Sequence, residues 1–289
     1  MRVTALGGGH GLAATLQAVR RYADDVCGIV SVADDGGSSG RLRSAFGIPP
    51  PGDLRRCLSA LADPESLWAG AFEHRFAAGE LEGHSFGNLV IAGLADATGD
   101  FEGAVAEAGR LLGAAGRILP ATCEPVVLKA DVAGRHGECL QVEGQVAVAN
   151  SGPISRVSIV PPDATAPDAA LEAITGADQV VLGPGSLFTS VLAVVAVPAL
   201  RDALAATRAR KVYVCNLRPQ LPETAGFDVA DHVEALRAHG LEVDVALCDP
   251  RGLRRGQPGV PVVERRVASD DGVTHDPARL AHALVDLVG

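Results

Sequence analysis

Four times along these 289 residues a short apolar run stops abruptly on a small or polar residue and gives way to a helical pattern. Val3 to Leu6 ends at Gly7, and Cys27 to Val32 ends at Asp34. Val180 to Leu182 ends at Gly183, and Val212 to Cys215 ends at Asn216. Strands apolar on both faces, alternating with helices, specify a parallel sheet covered on both sides. Leu12, Leu16 and Val19, at helical spacing after the first strand, complete half of a β-α-β unit. The expected fold is α/β, a Rossmann-like three-layer, doubly wound and mostly parallel sheet. In such a sheet the strand ends lie along one edge, where ligands bind. Further strands are expected at 118–122, 154–160 and 243–247, with an edge strand at 262–267. Between 124 and 150 alternation replaces the helical pattern, with a turn at 133–137, which reads as an antiparallel β-rich insertion. No repeat or linker interrupts the chain, so residues 1–289 are expected to form one domain.

The polar ends carry candidate chemistry. Gly7, Gly8, Gly9, His10 and Gly11 form a strand-to-helix loop whose backbone can approach a phosphate or diphosphate. It is not the dinucleotide fingerprint, because Leu12 stands where G-x-G-x-x-G needs glycine. Asp34 and Asp35 lead into Gly36 to Gly40, read as a Gly/Ser loop containing Ser38 and Ser39, with Arg41 and Arg43 beyond. Pro49 to Asp53 then opens a helix for which Asp53 is the natural N-cap. At 83–89, G-H-S-F-G-N-L places His84, Ser85 and Asn88 at a helix entrance, as a ligand loop or simply a cap. Gly183, Gly185, Ser186, Thr189 and Ser190 form another glycine-rich strand end able to donate to phosphate or sugar oxygens. Trp68, Phe72 and Phe76, four residues apart, read as core.

The chain is acidic, with a net charge of −10 and a pI near 5.2, which argues against nucleic acid and anionic membrane as partners. Six scattered cysteines, without a C-x-x-C pair, read as free thiols in a reducing compartment. There is no signal-like h-region after Met1, and the run 187–200 is too interrupted to span a bilayer. A cytoplasmic location is expected. No Ser-His-Asp order, activated cysteine or acid/base carboxylate pair stands out, which favours binding over catalysis.

Five motifs occur in order: G-G-G-H-G-L at 7–12, V-A-D-D-G-G-S-S-G-R-L-R at 32–43, P-P-P-G-D-L-R at 49–55, G-H-S-F-G-N-L at 83–89 and G-P-G-S-L-F-T-S at 183–190. Together they resemble the YvcK family of gluconeogenesis factors, within the wider CofD-like group. The resemblance implies a cytosolic regulatory protein needed for cell shape and envelope synthesis on gluconeogenic carbon sources. It implies a UDP-sugar ligand, notably UDP-N-acetylglucosamine, and regulatory contact with glucosamine-6-phosphate synthase. No cofactor is obligatory in this reading, and a homo-oligomer is expected. Gly7 to Gly11 and Gly183 to Ser190 would surround the diphosphate, with Asn216 at the ribose or sugar. Asp34, Asp35, Ser38, Ser39, Arg41, Asp53, Ser85 and Asn88 would lie near the sugar, with Asp34 and Asp35 as ligands if magnesium binds. The rival is a CofD-type transferase moving a phospholactyl or phosphoenolpyruvyl group from a guanosine diphosphate carrier to the deazaflavin Fo. The chain departs from the YvcK pattern at His10, where Thr is expected, in the altered motif 217–224, and in the tail after Cys248, with Thr274 where Arg is expected.

Overall fold

The computed structural model describes residues 1–134 and 138–288; part of the turn expected at 133–137 lies outside the described residues. Ten strands are placed: β1 (Arg2–Gly7), β2 (Asp25–Val30), β3 (Arg117–Pro120), β4 (Val127–Ala133), β5 (Cys139–Glu143), β6 (Ile154–Val160), β7 (Gln179–Leu182), β8 (Arg210–Val214), β9 (Val245–Cys248) and β10 (Val262–Glu264). Seven form a parallel sheet in the order β10-β9-β8-β7-β1-β2-β3. The expected α/β sheet is present, and β10 is its parallel edge. β1, β2 and β7 are buried almost throughout, as strands covered on both faces must be.

The chain runs outward from β1 in both directions. It passes from β1 through β2 to β3 on one side, and later from β7 through β8 and β9 to β10 on the other. Right-handed crossovers therefore place the two sets of helices on opposite faces. Helix Gly9–Val19 packs beside Gly52–Leu61 and Pro277–Val285, while Asp168–Thr175 packs beside Pro198–Ala206. The loops leaving β1 and β7 diverge to opposite faces, which makes the gap between them the topological switch point of the sheet.

The insertion is larger than the sequence suggests. β4 pairs antiparallel with both β5 and β6, giving a three-stranded sheet in the order β5-β4-β6, and a short helix, Gln145–Ala149, lies within it. The strand at 154–160 thus belongs to the insertion, not to the parallel sheet. The aromatic series from 68 to 76 also divides. Phe72 is fully buried, Trp68 in the first turn of helix Leu67–Glu73 is half exposed, and Phe76 lies beyond the end of that helix. Among the described residues no single helix is long and apolar enough to cross a membrane, and the apolar residues Leu187, Phe188 and Val191 to Val195 are buried inside the protein.

At Gly11 the loop after β1 approaches the loop after β7 closely. A Cβ there would overlap the carbonyl of Pro184. Gly11→Ala is expected to lower unfolding free energy by about 2 kcal/mol or more in urea titration, since backbone cannot yield as a side chain does. Gly70→Ala, with nothing within 4 Å of the added carbon, is the control and should be neutral or stabilising by about 0.5 kcal/mol.

Candidate functional site

At the switch point the loops after β1 and β7 meet. Gly8 lies where a Cβ would come 2.8 Å from Asp53 Oδ2 and 3.2 Å from Ser190 Oγ, so only glycine leaves this junction open. Asp53 is not the N-cap of helix Gly52–Leu61. Pro51 holds that position, and Asp53 sits in the first turn. Its carboxylate instead crosses to the neighbouring loop, accepting from the Gly9 amide at 2.8 Å and from Arg56 at 2.7 Å. The glycine loop at 7–11 therefore already holds one carboxylate at the start of helix Gly9–Val19. The amides of His10 and Gly11, at the next two positions, have no intrahelical acceptor by geometry.

The second glycine loop is occupied in the same manner. Glu223, 4% exposed, places its carboxylate at the turn that opens the helical segment at Leu187. It accepts from the Phe188 amide at 2.7 Å and from Ser186 Oγ at 2.5 and 2.6 Å, and Ser186 in turn bonds Thr189. Burial pushes the Glu223 carboxyl above its ordinary range, although these donors oppose the shift. Asn216 clamps the same loop, accepting from the Gly185 amide and donating to the Gly185 carbonyl, both at 2.9 Å. Ser186, Thr189 and Asn216 thus hold the loop's shape, and ligand contact through them requires these bonds to exchange. Ser190 remains at the junction with Gly8. Glu223 carries no role in the sequence reading; its signal was its place in the motif 217–224.

The run 36–40 is not a loop. Helix Gly37–Phe46 begins inside it and closes on Gly47 in the left-handed conformation. This brings Ser38 and Ser39 into a buried first turn. Asp34 accepts from the Gly36 amide at 3.0 Å and bonds Ser39. Asp35 turns the other way, accepting from the Val146 amide of the insertion at 2.9 Å. The two aspartates are therefore directed to different partners, although the charges of both Asp53 and Asp35 act on the Asp34 carboxylate. Burial raises the Asp34 carboxyl above its ordinary range, the charge of Asp53 adds to the shift, and the Gly36 amide opposes it.

Helix Phe86–Thr98 supplies the remaining wall. Asn88 Nδ2 donates to Ser38 Oγ at 3.1 Å, and His84 Nδ1 lies 3.0 Å from the same oxygen. Desolvation and the nearby Arg41 and Arg75 lower the His84 imidazole below its ordinary range, which leaves it neutral near pH 7. Ser85 stands at the N-cap position but makes no cap bond. Ser85 Oγ and Asn88 Oδ1 are buried without a hydrogen-bond partner among the described residues. Arg41 reaches the Glu82 carbonyl at 2.9 Å and fixes the approach to this loop.

Among the described residues no group of three or more His, Cys, Asp or Glu side chains is placed to hold a metal ion. Magnesium, which accepts one or two carboxylates with phosphate oxygens, would fit beside Asp34 and Asp53 only with a ligand's phosphate completing its shell. Of the six cysteines, Cys27, Cys57, Cys215 and Cys248 are buried, Cys123 and Cys139 are exposed, and all are free.

An ionised Asp34 destabilises the fold, because its pKa is raised relative to the unfolded chain. Asp34→Asn is therefore expected to raise Tm at pH 8, with the gain over the parent shrinking as pH falls through the raised pKa. Thermal unfolding across pH 4–8 measures this directly. Glu223→Ala removes the acceptor of Ser186 Oγ and of the buried Phe188 amide, and should cost about 2–4 kcal/mol in urea unfolding.

The model of the family described as "2-phospho-L-lactate transferase CofD" matches residues 3–284. The gluconeogenesis factor of Bacillus subtilis is 37% identical over 315 residues, covering 99% of this chain and 98% of that protein. That of Halalkalibacterium halodurans is 43% identical over 242 residues, covering 82% of this chain and 73% of the relative. A Nostoc relative, 45% identical over 240 residues, is longer, and the matched region spans about half of it (52%). A crystal structure of a UPF0052 family protein from Bacillus halodurans superposes with a TM-score of 0.92 at 35% identity, covering 98% of each chain. The chain belongs to the CofD family, in the branch of the gluconeogenesis factors.

Proposed function

We propose that this protein binds a nucleotide sugar of the UDP-N-acetylglucosamine class at the switch-point crevice and acts as a metabolite-responsive regulator. The observation that carries this reading is the meeting of two glycine-rich strand ends at Gly8 and Ser190, beside a wall holding two orphaned polar atoms, Ser85 Oγ and Asn88 Oδ1. Buried polar atoms without partners are rare in native proteins and are commonly met by a ligand or water. The diphosphate lies over the amides of His10 and Gly11 and against Ser190. The sugar hydroxyls lie toward Asp34, Ser38 and Asn88. In this role the protein senses envelope precursor supply on gluconeogenic carbon and passes the signal to glucosamine-6-phosphate synthase. It works in the cytoplasm, and turnover of the ligand is not part of the function.

The rival, CofD-type group transfer, draws support from the family model and from the Asp34–Asp53 carboxylates, which would suit magnesium on a diphosphate. Calorimetry with UDP-N-acetylglucosamine, UDP-glucose and GDP, each with and without magnesium, separates the two. The expected result is preference for UDP-N-acetylglucosamine, recovered intact after prolonged incubation. Asn88→Ala is expected to weaken it about tenfold, the loss of one to two hydrogen bonds. Preference for GDP with strict magnesium dependence would replace the sensor by the transferase.

A further inference from the structure

Beyond the crevice, the ends of β8, β9 and β10 carry a second concavity, a cleft of about 280 Å³. Arg218 follows β8, Arg251 follows β9 and Arg266 follows β10, and all three line this cleft. The segment 251–266 contains five arginines and one glutamate, in a chain whose net charge is −10. Among the described residues, none of the three lining guanidinium groups has a hydrogen-bond or ion-pair partner.

Three carboxylates line the cleft as well; Arg218 adds its charge at Asp271 and Arg266 at Asp249 and Asp270, but the hydrogen bonds of each carboxylate go elsewhere. Asp249 is 4% exposed and accepts from the amides of Arg251, Val267 and Ala268, each at 2.9 Å. Asp270 pairs with Arg279 at 2.6 Å. Asp271 accepts from Ser269 Oγ at 2.6 Å and from the Val273 amide at 2.8 Å. The turn that carries Asp271 is closed by Gly272 at φ +66°, where a Cβ would lie 4.0 Å from Arg218 Nη2, so the arginine folds over this turn. The acceptors are thus satisfied by backbone and by Arg279, while the donors of three strand ends remain open. Guanidinium groups lining one cleft with their own N–H donors unpaired, while its carboxylates are held by other partners, suit a phosphate group, which such forks bind bidentately.

We propose that this cleft is a second anion site, separate from the nucleotide-sugar crevice, which takes the phosphate or diphosphate group of a small metabolite. The probe is inorganic pyrophosphate, followed by calorimetry on the parent, on the double variant R251Q/R266Q and on R255Q, an exposed arginine outside the cleft. The parent and R255Q are expected to bind it with equal affinity, and the double variant about tenfold or more weakly. Unchanged Tm in the double variant establishes that the fold is intact, as expected for guanidinium groups without partners. An absent isotherm with the parent, or an unchanged one in the double variant, would overturn the proposal. UDP-N-acetylglucosamine, titrated into the same variants, is expected to bind as it does to the parent. Equal loss of both ligands in the double variant would merge the cleft with the crevice and refute a second site. Failure of the sugar nucleotide to bind any of the proteins bears on the crevice alone.

Discussion

A carboxylate stands at the start of each helical segment that flanks the switch point: Asp53 on the Gly9 amide and Glu223 on the Phe188 amide. Helix starts leave amides unpaired and carry partial positive charge, so each is a seat for an anion. Here the chain supplies its own. Asp53 comes from the connection after β2 and Glu223 from the connection after β8, at sequence separations of 44 and 35 residues. The two contacts tie four neighbouring strand ends in two pairs, β1 with β2 and β7 with β8. Asn216 on Gly185 and the Gly11–Pro184 approach complete the same join from the other side. Any ligand at this edge meets loops already held in place, which reduces the ordering cost of binding.

The parallel α/β sheet and the strands whose ends meet at its switch point were legible in the sequence because their signals are local. An apolar run ending in Gly7 or Gly183 declares itself within a few residues. The pairing of distant polar groups does not. Asp53 had the position of a cap, and its capture by Gly9 depends on how two loops fold toward each other. Asp34 and Asp35 are adjacent in sequence, but extended backbone sends neighbouring side chains apart, and their partners, Ser39 and Val146, lie in different substructures. Gly36 to Gly40 has the composition of a loop, yet buried Ser38 and Ser39 start a helix, because tertiary contacts outweigh weak propensity.

Glu223 was hidden for a related reason. It lies in a stretch rich in proline and polar residues, where an acid looks like a solvated turn. Its burial follows from the chain after β8 folding back over the helical start at Leu187. The insertion shows the opposite case: its alternation was visible, but its outer limit was not. β6 reads equally well as a parallel-sheet strand until its partner is known to be β4.

The bond from the Val146 amide to Asp35 joins the insertion to the residue next to Asp34. Its effect is thermodynamic as well as structural. Two surfaces linked through one shared contact cannot be perturbed independently: if occupancy of the crevice displaces Asp35, the free energy of the insertion changes, and a protein docked on the insertion alters crevice affinity by the same factor. The three-stranded appendage is thereby coupled to the residue beside Asp34, both through this bond and through the packing of helix Gln145–Ala149 against the segment Leu187–Val191.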